Sequence, residues 1–281
     1  KNYEVIVVND GSEDSGATAA IASRYRDRIK YFEKENGGVA SALNLALAHS
    51  TGSYISWLSH DDLYEPEKLE RGVKFIEQEA SEDVILYSDF SVFSTSSDKA
   101  RPVRMRSVRP DQFRFWITIE NTLHGCTLLI PRKAFEVCGM FDEALRTTQD
   151  YDLWFRMAER YRFIHIPEVL VKARRHAMQG TVALAEIANL ECDALLAKFV
   201  HNLSDEDLRS SVDGDVSTAY LKIMTSMKVR RFKLAEAATK ERFSEYSIKA
   251  PVKDIVFKST NMLRDIMLRK IISTIKTILR L

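Results

Sequence analysis

The chain has 281 residues, 45% hydrophobic and 29% charged, an ordinary globular composition that suffices for one large domain with an appendage. A formal net charge of +1 offers no footing for nucleic acid as a partner. Cys126, Cys138 and Cys192 follow no paired metal spacing and read as reduced core residues of a cytosolic protein, and no uninterrupted apolar run reaches the roughly 18 residues of a spanning helix.

Lys1-Asn2 stand directly ahead of a strand-like run without a leading methionine, so the sequence is expected to begin inside a domain. Val5 to Val8 form a short apolar run, the pattern of a parallel strand covered on both faces. It ends at Asn9-Asp10-Gly11-Ser12-Glu13-Asp14, where Gly11 permits a sharp turn. Ser12 or Asp14 can cap a helix marked by Ala17, Ile21 and Tyr25. A second strand, Lys30 to Glu33, leads to Asn36-Gly37-Gly38 and a helix marked by Val39, Leu43 and Leu47. Strand, helix, strand, helix, strand is the order of a doubly wound α/β sheet with right-handed crossovers.

The third strand, Tyr54 to Leu58, delivers two adjacent carboxylates, Asp61 and Asp62, to a strand-to-helix loop ahead of Glu65-Pro66. Ligands bind at that end of the strands in open α/β sheets. Adjacent carboxylates repel and need a cation, hydrogen-bond donors or water. A divalent metal carrying a nucleotide diphosphate would satisfy them, and so would a solvated Asp-Asp turn that caps a helix.

Glu67 to Glu79 should be a helix with Leu69, Val73 and Ile76 on one face, followed by a strand from Asp83 to Phe90. Ser94 to Arg109, with Lys99, Arg101, Arg104, Arg106 and Arg109, reads as a mobile basic loop, either solvated or folding over a diphosphate as a lid. His124 to Pro131 reads as a strand, then a short helix stops at Gly139. A helix from Asp150 to Ala158 turns Leu153, Met157 and Tyr161 to the core, with Asp150 at the N-terminus where the helix dipole favours its ionised form. Trp154 reads as core or as an acceptor platform. Strands at Phe163 to Ile166 and Val169 to Ala173 finish at Arg174-Arg175-His176. Beyond Thr181 helical periodicity takes over, in Leu184 to Leu203, Ala219 to Met227 and Phe232 to Phe243. A last basic amphipathic helix, about Asp254 to Leu281, suits a membrane interface or a protein partner equally.

Taken together, these motifs resemble the inverting family 2 glycosyltransferases over Tyr3 to Thr181. The resemblance implies a GT-A (Rossmann-like) fold: a mixed, mostly parallel sheet with flanking helices over residues 1–181, then an α-helical C-terminal region over 182–281. Val7-Val8-Asn9-Asp10-Gly11-Ser12 looks like the family's Asp-Gly-Ser turn, which makes Asp10 and Ser12 nucleotide-proximal. Asn36 and Gly38, with Asn44, look like the second nucleotide-proximal element, although Leu43 stands where the family often has arginine. Leu58-Ser59-His60-Asp61-Asp62 is similar to the Asp-X-Asp-Asp site, with Ser59 replacing the first aspartate. His60, Asp61 and Asp62 would then face the donor. Asp61, Asp62 and His176 would hold Mn²⁺ or Mg²⁺, and Asp150 of Gln149-Asp150 would be the catalytic base.

That resemblance further implies transfer of a sugar from a nucleotide-diphosphate sugar to an acceptor hydroxyl with inversion. The setting would be bacterial surface polysaccharide or glycolipid assembly, on a glycan or lipid-linked acceptor, in the cytoplasm and at the inner face of the plasma membrane. The family's first apolar strand has no counterpart here, so the edges of Val5 to Val8 and Tyr54 to Leu58 are expected to lack a backbone partner. With Ser59 and Leu43, that leaves a catalytically impaired sugar-nucleotide-binding fragment as the alternative. A dinucleotide oxidoreductase is disfavoured, because Asn9-Asp10-Gly11-Ser12 lacks the G-x-G-x-x-G spacing.

Overall fold

The structure, a computed structural model, describes residues 3–249 apart from Ala80, Asn121, Met178, Val212 and Asp213, so the expected last helix lies outside the described residues. Two compact units divide the chain: residues 1–117 with 121–192, and residues 118–120 with 193–281.

The first unit opens with β1 (Ile6–Asp10), α1 (Ala17–Ser23), β2 (Lys30–Lys34) and α2 (Gly38–His49). β1 and β2 pair in parallel from Ile6 opposite Lys30 to Asp10 opposite Lys34, as strands joined by a helical crossover do. Asp14 supplies the expected cap, accepting from the N–H groups of Gly16 and Thr18. Ile21 and Tyr25 are more than half exposed and Ala22 is buried instead, so the small residue, not the large ones, marks the packed face of α1.

Next come β3 (Tyr54–Ile55), β4 (Leu63–Tyr64), α3 (Lys68–Gln78), β5 (Val84–Phe93) and β6 (Arg101–Val103). They are followed by α4 (Phe113–Ile119), β7 (Ile130–Pro131), α5 (Arg132–Cys138), α6 (Gln149–Met157), β8 (Arg162–Arg174) and α7 (Gly180–Ala183). The longest sheet has the order β4-β8-β5-β6, with β5 and β8 parallel and the short flanking strands antiparallel. The two strands expected from Phe163 to Ala173 are one strand, β8, whose register against β5 slips at Pro167-Glu168 and again at Leu170. β5 is buried along nearly its whole length, as a strand covered on both faces must be. Its Val84 and Leu86 pack with Leu129, Ile166 and Leu170 under Phe75 and Ile76 of α3.

Three sequence expectations are corrected here. The buried face of α3 is set by Lys68 and Gly72, while Leu69 and Val73 stay exposed. Lys68 can go inside because its ammonium donates to the carbonyls of Thr127 and Leu128. The supposed strand from His124 is a tight turn over Gly125–Thr127, followed by the two residues of β7. Its Gly125 lies so close to Trp57 that an added Cβ would stand 2.4 Å from the indole ring. The basic loop from Ser94 to Arg109 is not free. β6 pairs with β5, and buried Asp89 accepts from Arg104 at 2.8 Å and from the Met105 N–H at 2.7 Å.

Of the cysteines, Cys126 is buried, while Cys138 and Cys192 are only half-buried, and all three are free thiols. Among the described residues β1 pairs with β2 and β3 with β7, and β1 and β3 are not hydrogen-bonded to each other. Glu4 bridges near their starts, its carboxylate accepting from Thr51 and Gly52 N–H.

α8 (Ala185–Asn202) crosses into the second unit, which continues with α9 (Asp205–Ser211), α10 (Val216–Arg230) and α11 (Lys233–Lys249). Tyr220 of α10 meets Phe243 and Tyr246 of α11 at ring distances of 5.8 and 6.0 Å. Asp193 accepts from the N–H groups of Leu234 and Ala235 and so caps α11. Among the described residues no helix is long and apolar enough to cross a membrane.

Candidate active site

Asp10 ends β1, and its carboxylate closes the turn before α2. It accepts from Gly37 N–H at 3.0 Å, Gly38 N–H at 2.8 Å and Lys34 Nζ at 2.9 Å. Burial pushes its pKa up, but these three donors outweigh it and hold the carboxyl below its ordinary value. Close approach is possible because Gly11, at φ +69°, has no side chain: a Cβ there would stand 2.7 Å from the Asn36 nitrogen. Asn9 accepts from Ser12 N–H at 3.0 Å, which leaves the Ser12 side chain exposed.

The two adjacent carboxylates have different tasks. Asp61 Oδ2 lies 2.7 Å from His176 Nε2, an exchange across 115 residues. Asp62 is buried and faces inward. One of its oxygens accepts from Arg174 N–H at 2.9 Å, and the other lies 3.3 Å from Cys126 Sγ and 3.5 Å from His124 Nε2. Burial raises the Cys126 thiol to about 12 and depresses His124, so the thiol keeps its proton and donates to Asp62. Ser59, in the place of the family's first aspartate, turns to Cys126: its N–H is 3.4 Å and its hydroxyl 3.5 Å from the sulfur. Beneath this turn, burial lowers Lys68 to about 8.

Asp150 sits in the first turn of α6 and accepts from Tyr151 N–H at 2.8 Å. Burial nonetheless raises its carboxyl to about 6. A carboxylate tuned toward neutrality is what proton abstraction from a hydroxyl requires. Contacts lead from Asp150 to the paired aspartates: the Tyr151 hydroxyl accepts from Leu123 N–H at 3.0 Å, and the next residue, His124, meets Asp62. Trp154 is fully buried and stacks on Trp57 at 6.4 Å, which makes it core and not a platform for an acceptor.

The structure thus joins Asp10 with Gly37 and Gly38, Asp61 with His176, and Asp62 with the His124 turn. Asn44 is engaged elsewhere: its amide donates to Phe141 O and Glu143 and accepts from Phe141 N–H, so it pins the link between α5 and α6. His60 is exposed on the loop that carries Asp61. Sequence reasoning passed over His124, Cys126, Lys34 and Lys68, because each owes its place to a partner distant in the chain. The only local signal was the run His124-Gly125-Cys126, and it read as strand.

A hard divalent cation fits one of these groups better than the other. Adjacent ligands on Mg²⁺ or Mn²⁺ stand about 3 Å apart, and Asp61 and His176 already approach to that order. Asp62, His124 and Cys126 also lie within 4.8 Å of one another. A protonated thiol is a poor ligand for a hard ion, so that trio suits softer metals.

The fold and the acidic strand-end loops define a GT-A type α/β architecture. In fold the chain is similar to the Staphylococcus aureus TarS 1–349 crystal structure, with a TM-score of 0.56 at 18% identity, covering 88% of this chain and 82% of that one. Residues 1–139 match the family model described as Glycosyl transferase family 2. An uncharacterized glycosyltransferase of Rickettsia typhi is 35% identical over 269 residues, 92% of this chain and 82% of that protein. Another, from Rickettsia felis, is 42% identical over 212 residues, which are 74% of this chain but only 35% of that protein, so the chain spans about a third of that relative's length. The chain belongs to glycosyltransferase family 2.

Proposed function

We propose that this chain moves a sugar from a nucleotide-diphosphate sugar to an acceptor hydroxyl with inversion at the anomeric carbon. The geometry that carries the reading is Asp150 in the first turn of α6, linked through Tyr151 and Leu123 to the His124 that meets Asp62; burial raises its carboxyl to about 6. An acceptor hydroxyl is a weak nucleophile, and Asp150 takes its proton as it attacks the anomeric carbon. Direct displacement by that oxygen inverts the centre.

Asp61 and His176 would hold Mn²⁺ or Mg²⁺, with Asp62 fixing the loop behind them. A bound cation supplies charge to offset the negative charge that develops on the departing diphosphate. On the family resemblance we assign the Asp10 turn, with Ser12, Asn36 and Gly38, to the nucleotide; its Gly37 and Gly38 N–H groups are already taken by Asp10, which fixes the shape of the turn. Solved structures of the fold neighbour TarS include one with UDP-GlcNAc, at a TM-score of 0.51, which supports a UDP-sugar as the first donor to try. We assign the acceptor to a growing glycan or a lipid-linked saccharide at the cytoplasmic face of the membrane, on the family resemblance.

Incubation with UDP-, GDP- and dTDP-sugars and Mn²⁺, followed by NMR of the product's anomeric proton, tests the reading. An inverted product that vanishes with Asp150→Asn is expected, and a retained configuration would overturn it. The side chain of Ser59, facing Cys126 instead of a ligand, favours the second reading of an impaired sugar-nucleotide binder. Donor binding without turnover, in this chain and in a longer one, is its signature.

A further inference from the structure

The loop that presents Asp150 has no cap of its own. Thr148 stands at the N-cap of α6, yet its side chain makes no capping bond to the helix. The donors of this loop are gathered instead by Glu191, on α8. One Glu191 oxygen accepts from Arg146 N–H at 2.8 Å. The other accepts from Thr147 N–H at 2.9 Å, Thr147 Oγ1 at 2.7 Å and Thr148 Oγ1 at 3.3 Å.

We infer that Glu191 is a positioning residue for the catalytic base: its carboxylate fixes residues 146–148, and through them the first turn of α6 and the side chain of Asp150. This rests on the reading of Asp150 as the base. Four hydrogen bonds converge on one ionised group, and charge-assisted bonds of that kind are the strong ones. Burial raises the Glu191 carboxyl, but the donors from Arg146 and Thr147 outweigh it, so the group stays ionised. No backbone rule requires this link, since α6 and α8 are separated by β8 and α7 in the chain. What it secures is placement. A base displaced by about 1 Å loses on the order of a hundredfold in rate.

Glu191→Gln keeps the shape of the clasp but turns an acceptor into an NH₂ donor that faces N–H and O–H groups. The test follows the Asp150 carboxyl by carbon-13 NMR on aspartate-labelled protein, with Asp150→Asn identifying its signal. Turnover of UDP-, GDP- and dTDP-sugars with Mn²⁺ is measured alongside. In the native protein Asp150 should titrate near 6. In Glu191→Gln its midpoint should fall toward the ordinary aspartate range as the loop opens to water, and kcat should drop about tenfold or more while donor KM stays within about twofold. Thr147→Val, which removes one donor only, should move both readouts the same way by less, and it serves if Glu191→Gln does not fold. An unshifted Asp150 midpoint with full kcat in both variants overturns the inference. An Asp150 that titrates as an ordinary aspartate in the native protein instead overturns the reading of Asp150 itself.

Discussion

His176 Nε2 stands 2.7 Å from Asp61 Oδ2, although 115 positions separate the two residues in the chain. The strand that carries Arg174 ends against Asp62, whose carboxylate accepts the Arg174 N–H, and this delivers His176 to Asp61 two residues later. Asp62 therefore anchors the loop, and Asp61 is left to meet His176.

His176→Ala should raise the Mn²⁺ concentration for half-maximal turnover by about tenfold to a hundredfold, the usual cost of losing one contributor to a metal site. A manganese titration of donor turnover measures it. An unchanged half-saturation point would remove His176 from the metal site.

Asp150→Asn should lower turnover by about 10² to 10⁴, the typical share of a general base. In the native protein kcat/KM should rise with pH through about 6 and then level off, since the base works ionised. The stability sign is opposite. A carboxyl whose folded pKa exceeds its unfolded value of 3.8 binds protons in the native state between 3.8 and about 6, so stability falls as pH climbs through that window. Asp150→Asn should therefore melt higher than the native chain at pH 8, by about 3 kcal/mol in stability, and by far less at pH 4. Calorimetry at the two pH values reads the difference.

Asp89 holds the basic segment through Arg104 and Met105, and its other contact is His165 at 2.9 Å. Asp89→Ala removes the acceptor for all three and should cost about 2–3 kcal/mol. Trypsin should then cut faster after Arg104 and Arg106, since Pro102 shields the bond after Arg101. Equal cleavage rates in native and variant protein would show that the pairing with β5 suffices alone.

Gly125→Ala places a methyl where the Trp57 ring lies, 2.4 Å from Cζ2. Trp57 is wedged between Phe141 and Trp154, so it has no easy retreat. A loss of about 1–3 kcal/mol is expected for such overpacking, with a change in tryptophan emission. Urea titration followed by fluorescence checks both.

Much of the alternation of strands and helices could be read from the chain because apolar spacing is a local property. The helix over Gln149–Met157, with Leu153 and Met157 fully buried, follows from spacing alone. Local spacing failed at α3, where Leu69 and Val73 carry the stronger hydrophobic signal but Lys68 is inside. It failed again at Gly125, where an apolar run bends because distant groups take its carbonyls and occupy its side-chain space.

The sequence by itself determined that acidic side chains would end strands of an α/β sheet and that one would head a helix, since these are statements about neighbours along the chain. Only the tertiary structure separated Asp61 from Asp62, put His124 and Cys126 behind Asp62 and tied Glu191 to the loop ahead of α6. Those roles are hydrogen bonds between groups tens to more than a hundred residues apart, from 43 for Thr148 and Glu191 to 115 for Asp61 and His176. No residue's own neighbourhood encodes its distant partner, so burial and hydrogen-bond satisfaction, acting on the whole fold, made the choice.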